Sequence, residues 1–332
     1  MGQAERRHLE RRHQLQPLVV RVGDDGMRLI GRRTAVGAAV VLLVTGVAGC
    51  TQAQSASPDG QSADTVLSGA ALDLAVRAGP YRDDQRVLQQ AEYELTRRCM
   101  AARGFDYVTS DGGTVGNDDS WQPDLDTRRS RGYGFGDPSP SPDDQYPPGL
   151  PAAERDSYAR ALTGDPERRA VLRLSSGPEF TFGTTGCIAE SRSGLYGDVI
   201  DAARVSYVPQ EAHNALHDRI ADNPAMREVM ALWKSCMRDR GYPYDSMEAA
   251  RADAGQSHDS AGSADAARRA EIRIAVADGE CALVAGMPEV VDRVGRQRAV
   301  KLTAEQRADL NLATDLRAEA LEYARSIVSG SP

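Results

Sequence analysis

The residues whose chemistry is easiest to bound are five cysteines, Cys50, Cys99, Cys187, Cys236 and Cys281. No CxxC pair occurs, and no cysteine stands at metal-ligand spacing from a histidine. Both facts argue against a zinc site and against a redox motif of the CxxC kind. His213 and His217 are four apart in EAHNALHDRI, so on a helix both rings could reach one metal ion, with Glu211 or Asp218 beside them. Asn214 stands where a metalloprotease would carry its glutamate, so the pair is a weak metal candidate, and a solvated helix face is the expectation. GGTVGNDD, Gly112 to Asp119, has the oxygen groups and glycines of a calcium loop, but it is one imperfect copy and reads as a flexible acidic loop. HExxH, GxSxG, SxxK and a phosphate-cradling glycine loop are all missing, so the reading assigns no catalytic residue and no cofactor.

Cys50 stands apart from the other four. Met27 to Arg33 carries three arginines, Thr34 to Gly46 is apolar or small, and Val47-Ala48-Gly49-Cys50 follows. A charged zone, a short apolar zone and small residues before a cut define a secretory signal. Spanning a membrane takes roughly 20 apolar residues, and Thr34 to Gly49 supplies 16. The final tetrapeptide resembles the lipobox of bacterial lipoproteins. The 38 arginines against two lysines, Lys234 and Lys301, suggest the GC-rich actinobacterial kind. That resemblance implies cleavage after Gly49 and a diacylglycerol thioether on Cys50, whose two acyl chains would hold the protein on the outer side of the membrane. It makes residues 1–49 a leader, with 27–49 the signal peptide and Met27 the expected start, so that 1–26 is a surplus extension. Residues 51–64, TQAQSASPDGQSAD, are small and polar and extend the lipid-bearing Cys50 into a flexible tether over 50–64, with a span of about 20 Å.

Charge narrows the partners. The chain has a net charge of −8, and residues 1–49 carry eight Arg against four acidic groups. The part from Cys50 onward therefore holds 32 basic and 44 acidic residues. Such a surface repels phosphate backbones, so nucleic acid is not an expected partner.

Four cysteines remain in a compartment that favours disulfides. Residues 95–107 read LTRRCMAARGFDY and residues 232–244 read LWKSCMRDRGYPY. Leu, Cys, Met, Arg, Gly and the last Tyr match at an offset of 137, and Phe105 aligns with Tyr242. Each copy looks like a helix end, a glycine stop and an aromatic that folds back. Each is followed by a second cysteine, Cys187 or Cys281, so the repeat favours Cys99–Cys187 and Cys236–Cys281. Each bridge would contribute about 4 kcal/mol by the chain-entropy estimate. Cys99–Cys236 stays open as an alternative.

The elements that must position these cysteines are helices. Leu88, Ala91, Leu95, Cys99 and Ala102 form one stripe from about Arg82 to Ala102, stopped by Gly104. Residues 109–149, rich in Gly, Asp, Ser and Pro, read as a long loop or insertion, within which Tyr133-Gly-Phe135 is an aromatic recognition strip or the point where the loop docks on the core. Pro151 opens a helix, and Asp165-Pro166 repeats the cap-then-proline signal. AVLRL and EFTF flank a hairpin turn at Ser175 to Pro178. Residues 187–221 read as two helical pieces, the second starting at Pro209. Asn223-Pro224 caps a helix to Arg240 with Met226, Val229, Trp233 and Met237 on one face. A small-residue stretch covers 248–266, and a helix follows from about Asp265 to Val284. Thr303 and Gln306 form a capping box ahead of the stripe Leu310, Ala313, Leu316, Ala320, Ala324 and Ile327.

The expected fold is mainly α, with two related helical halves, each disulfide-stapled, at 65–208 and 209–330, a small β-hairpin and long Gly/Pro/Asp-rich insertions. The expected function is a membrane-anchored, non-enzymatic binding or interaction module of the cell envelope that holds an envelope protein or small ligand. The alternative is an envelope hydrolase with an unrecognised Asp/Glu site, which requires a cleft with close carboxylates.

Overall fold

The computed structural model describes residues 66–107, 120–135, 146–260 and 262–330. The lipobox, the tether and the Gly112 to Asp119 loop lie outside the described residues. Among the described residues the protein is mainly α, with eleven α-helices and one two-stranded antiparallel sheet. No helix among them is long and apolar enough to cross a membrane.

The first helices are α1 (Gly69–Val76) and α2 (Tyr81–Ala102). Ser68 opens α1 by accepting from the Ala71 N–H. Along α2, Leu88 and Ala91 are buried and Leu95 and Cys99 half-buried, as the stripe predicts. Ala102 is exposed instead, and Thr96 and Met100 complete the inner face.

The interval 109–149 is not all loop. Asp124 accepts from the Asp126 and Thr127 amides and starts α3 (Leu125–Arg131), which packs on α9. Only a buried Arg128 marks its inner face, so an apolar pattern had nothing to report there. Pro151 leads into a 3-10 turn at Ala152–Glu154 and then α4 (Arg155–Thr163). Asp165-Pro166 opens no helix. The Asp165 carboxylate accepts from the Glu167 amide in a turn that feeds the hairpin.

The hairpin is β1 (Arg169–Arg173) and β2 (Glu179–Gly183), paired Leu172 to Phe180 and Arg173 to Glu179. Next come α5 (Gly186–Tyr196) and α6 (Val199–His217). The break between them falls at Gly197, with Asp198 capping α6, and Pro209 lies inside α6. The boundary expected at 208/209 therefore falls within a helix. A proline forfeits one backbone hydrogen bond; here Val205, Val208, Pro209 and Ala212 are buried together, and tertiary packing outweighs that loss.

α7 (Pro224–Asp239) starts at Asn223 as expected and buries Met226, Val229, Trp233 and Met237. The small-residue stretch at 248–266 contains a helix, α8 (Met247–Ser260). Ala250 and Ala254 are fully buried there against Ile274, a close helix contact that only small side chains permit. α9 (Ala264–Val284) follows, with Ser263 as its cap. α10 (Met287–Arg298), like α1, occupies a stretch with no assigned element. α11 (Ala304–Val328) begins with the expected capping box of Thr303 and Gln306. Arg317 and Leu321 are buried on it, and Leu316 is half-buried.

Packing does not follow chain order. The last helix, α11, lies against α1, α2, α5 and α6, whereas α3 lies against α9. α10 touches α1 and α6 as well as α7 and α9. The two stapled regions thus exchange elements and share one body.

Candidate functional site

The two helix ends named by the repeat have the same backbone construction. At the end of α2, Phe105 N–H donates to Met100 O (3.0 Å) and Gly104 N–H to Ala101 O (3.0 Å). At the end of α7, Tyr242 N–H donates to Met237 O (2.8 Å) and Gly241 N–H to Arg238 O (2.9 Å). This is the Schellman pattern, and it needs a left-handed residue at the glycine. Gly104 and Gly241 have φ of +83° and +84°. Phe105 packs with buried Met100, and Tyr242 with buried Met237, which completes the motif.

Both expected disulfides are present, Cys99–Cys187 and Cys236–Cys281. In each, the first cysteine is half-buried and the second has no exposed surface. Around Cys99–Cys187 the setting is charged. Arg103 Nη1 lies 2.7 Å from Cys187 Sγ, and its Nη2 donates to Glu190 Oε1 at 2.6 Å. The other Glu190 oxygen, Oε2, sits 3.3 Å from Cys99 Sγ. Further along the same two helices, the buried Thr96 Oγ1 bonds Ser191 Oγ (3.0 Å), and the partly exposed Glu92 pairs with Arg192. These contacts run α2 antiparallel to α5. Around Cys236–Cys281 the setting is apolar, with Trp233, Met237, Ala277, Ala282 and Met287. Arg240, the repeat partner of Arg103, pairs with Glu280.

A second constellation is buried beneath α3. Arg128 and Asp278 are both essentially inaccessible and form an ion pair at 2.9 Å. Asp278 Oδ2 also accepts from the Tyr133 hydroxyl (2.8 Å), and Oδ1 accepts from the Trp233 indole N–H (2.9 Å). Two turns earlier on α9, Glu271 is fully buried. Its Oε1 accepts from the Tyr133 and Phe135 amides (2.8 and 2.9 Å), and its Oε2 meets His258 Nε2 at 2.7 Å. Gly132 allows this approach: its φ is +67°, and a Cβ there would stand 2.8 Å from the Glu271 side chain. Arg251 stacks over the Tyr133 ring at 4.6 Å. Tyr133-Gly-Phe135 is thus the place where the 120–135 segment docks on the core.

Burial pushes the Asp278 carboxyl above the usual range, against the opposing pull of Arg128, Tyr133 and Trp233. Burial raises the Tyr133 hydroxyl too, and the neighbouring Asp278 adds to it. A raised buried carboxyl is a functional-site signal in general. Here both Asp278 oxygens are engaged by protein donors and covered by α3, so the cluster acts as a lock for that helix. Periodicity could not reveal it, because its members are polar residues facing inward.

His213 and His217 are not on a solvated face. His213 is 8% exposed, and its Nδ1 lies 3.0 Å from Ala75 O of α1. The His217 nitrogens face His213 O (2.8 Å) and Val291 O of α10 (3.2 Å). The rings lie 4.2 Å apart. They serve as polar packing where α1, α6 and α10 meet.

Two concavities are relevant to binding. An open depression of about 510 Å³ is lined by Arg240, Tyr242, Ile272, Arg273, Val276 and Ala277. A cavity of about 20 Å³ lies between the hairpin turn, α6 and the start of α11, with Glu211 and Asp309 in its wall. The second has room for about one water molecule, and the first has no carboxylate in its lining. No protein-family description, curated protein or solved structure matches this chain.

Proposed function

We propose that this protein is a lipid-anchored extracytoplasmic lipoprotein whose helical domain is a non-enzymatic binding or interaction module of the cell envelope. The observation that carries the reading is the pair of disulfides, Cys99–Cys187 and Cys236–Cys281. Disulfides persist in oxidising compartments and are rare in a reducing cytosol. They agree with the export signal and leave Cys50 as the cysteine for lipid. The engaged state of Asp278 and Glu271 supports binding over hydrolysis, since a hydrolytic pair needs access to substrate and water. The open depression bearing Arg240 and Arg273 is the largest concavity described above and the natural place to look for a small ligand.

Mass spectrometry of the protein from its native membrane tests the reading. The expected species begins at Cys50, carries diacylglycerol there and has its other four cysteines oxidised. A chain that keeps the leader, or is cut elsewhere without lipid, overturns the anchor. Free thiols at the four remaining positions overturn the compartment.

A further inference from the structure

We propose that Cys99–Cys187 is a thiol–disulfide exchange site, open to reduction by thiols, whereas Cys236–Cys281 is a closed structural bridge. This goes beyond the envelope-binding reading and does not depend on it.

The two bridges form a natural controlled comparison. Each offers one half-buried sulfur, Cys99 or Cys236, at the same place in the repeat, and each hides the other. Each bridge thus offers an attacking thiol one partly exposed cysteine, although at Cys99 the Glu190 carboxylate, 3.3 Å from Sγ, opposes an incoming thiolate. Exchange rates also depend on the sulfur that leaves, and a thiol that ionises easily leaves faster.

Cys187 is built to leave. It is the second residue of α5, an 11-residue helix, so it sits among the first-turn amides at the positive end of the dipole. Thr185 does not cap those amides with its side chain; its hydroxyl accepts from the Asp165 amide. Arg103, itself paired with Glu190, places its Nη1 2.7 Å from Cys187 Sγ. Cys281 has the opposite setting: it lies in the last turn of α9, at the negative end, within an apolar cluster. Arg240, which the repeat places like Arg103, pairs with Glu280 as Arg103 pairs with Glu190, so the bridges differ chiefly in which end of a helix carries the hidden sulfur and in the Arg103 contact with it.

The reaction begins when a thiolate attacks Cys99 Sγ. A new sulfur–sulfur bond forms there, the Cys99–Cys187 bond breaks, and its electron pair goes to Cys187 Sγ, where Arg103 and the α5 amides hold the thiolate. A second thiolate attacks the incoming sulfur of the mixed disulfide. This forms a disulfide between the two reductant molecules and releases Cys99, which takes up and keeps one proton and can hydrogen-bond through it to Glu190. Two thiols are oxidised, the bridge gains two electrons, and the second thiol proton goes to solvent. Nothing in the linear chain marks the site beyond the cysteines themselves, because Arg103 and Glu190 are brought together only by packing α2 on α5.

The test uses the full chain with Cys50→Ser, which removes the fifth thiol, in its oxidised form. Glutathione is added under native conditions, and each cysteine is followed by acid quench, alkylation and peptide mass spectrometry. Cys99 and Cys187 should open about tenfold faster than Cys236 and Cys281, as expected for leaving-group control. Arg103→Ala should remove most of that preference, Arg103→Lys should keep part of it, and Arg240→Ala should leave the rate at Cys236–Cys281 unchanged. Equal rates, or earlier opening of Cys236–Cys281, overturn the proposal. The unsubstituted pair of bridges decides this even if a variant at 103 fails to fold.

Discussion

At the end of α2 and at the end of α7, the same backbone bonds close the helix, and the same buried methionine, Met100 or Met237, receives the returning aromatic. Side chains one step away then part company. Thr96 and Trp233 share a repeat position and both point inward, but Thr96 bonds the Ser191 hydroxyl and Trp233 bonds the Asp278 carboxylate. Arg103 reaches a sulfur as well as Glu190, and Arg240 reaches Glu280. Leu95 is half-buried, and Leu232 is 59% exposed. A short motif fixes its own cap through local hydrogen bonds, while the chemistry of the atoms around it belongs to whichever helix packs alongside.

The comparison can be broken most forcefully at the helix partners. Asp278→Ala removes the buried carboxylate that Arg128, Tyr133 and Trp233 share, and should cost about 3–5 kcal/mol in denaturant unfolding of the oxidised protein. Ser191→Ala, in the corresponding place of the first region, removes a neutral hydroxyl bond and should cost about 1 kcal/mol. Equal losses would mean that the ion pair and the hydroxyl pair have the same structural weight, against the distinction drawn here.

A smaller effect tests the likeness. Gly104→Ala and Gly241→Ala each force a Cβ into left-handed backbone, with nothing within 4 Å to clash. Each should cost about 1–2 kcal/mol, and the two melting shifts should agree. A cost confined to one site would show that the caps are not equivalent.

The smallest concerns a feature found on one side only. Glu94 bonds Arg97 and Arg98, and the Arg97 hydrogen bond foremost holds its carboxyl down at about 2; the matching residue in the second region is Ala231. A depressed carboxyl stabilises the fold above the ordinary carboxylate range and loses that contribution as pH falls toward 2. Glu94→Gln should therefore cost a few tenths of a kcal/mol at neutral pH, as exposed helix pairs do. The difference should vanish in unfolding curves taken near pH 2.

What could be read in advance follows a physical rule. Asn223-Pro224, the Thr303–Gln306 box and the Ser175 to Pro178 turn act over three or four residues, and each appears where its sequence signal stands. The apolar faces of α7 and α11 were legible because they repeat at helical spacing. α3 and α8 were not, because Arg128 in one and Ala250 and Ala254 in the other are inner-face residues without an apolar signature. Pro209 misled because a proline marks a helix start only when its surroundings do not compensate for the lost bond. The solvated histidine face failed for a related reason, since α1 and α10 come from distant parts of the chain to cover it.

Sequence by itself determined the helical class, the hairpin and the paired helix caps, since each rests on local backbone preference or on a repeat carried in the chain; it favoured the observed cysteine pairing but left Cys99–Cys236 open until the helices were packed. Tertiary structure alone decided that α11 would join the first staple and α3 the second, that Asp278 and Glu271 would be buried under α3, and that Arg103 would stand against a sulfur. Those outcomes depend on charges and surfaces far apart in the chain, whose interaction exists only after the helices have packed.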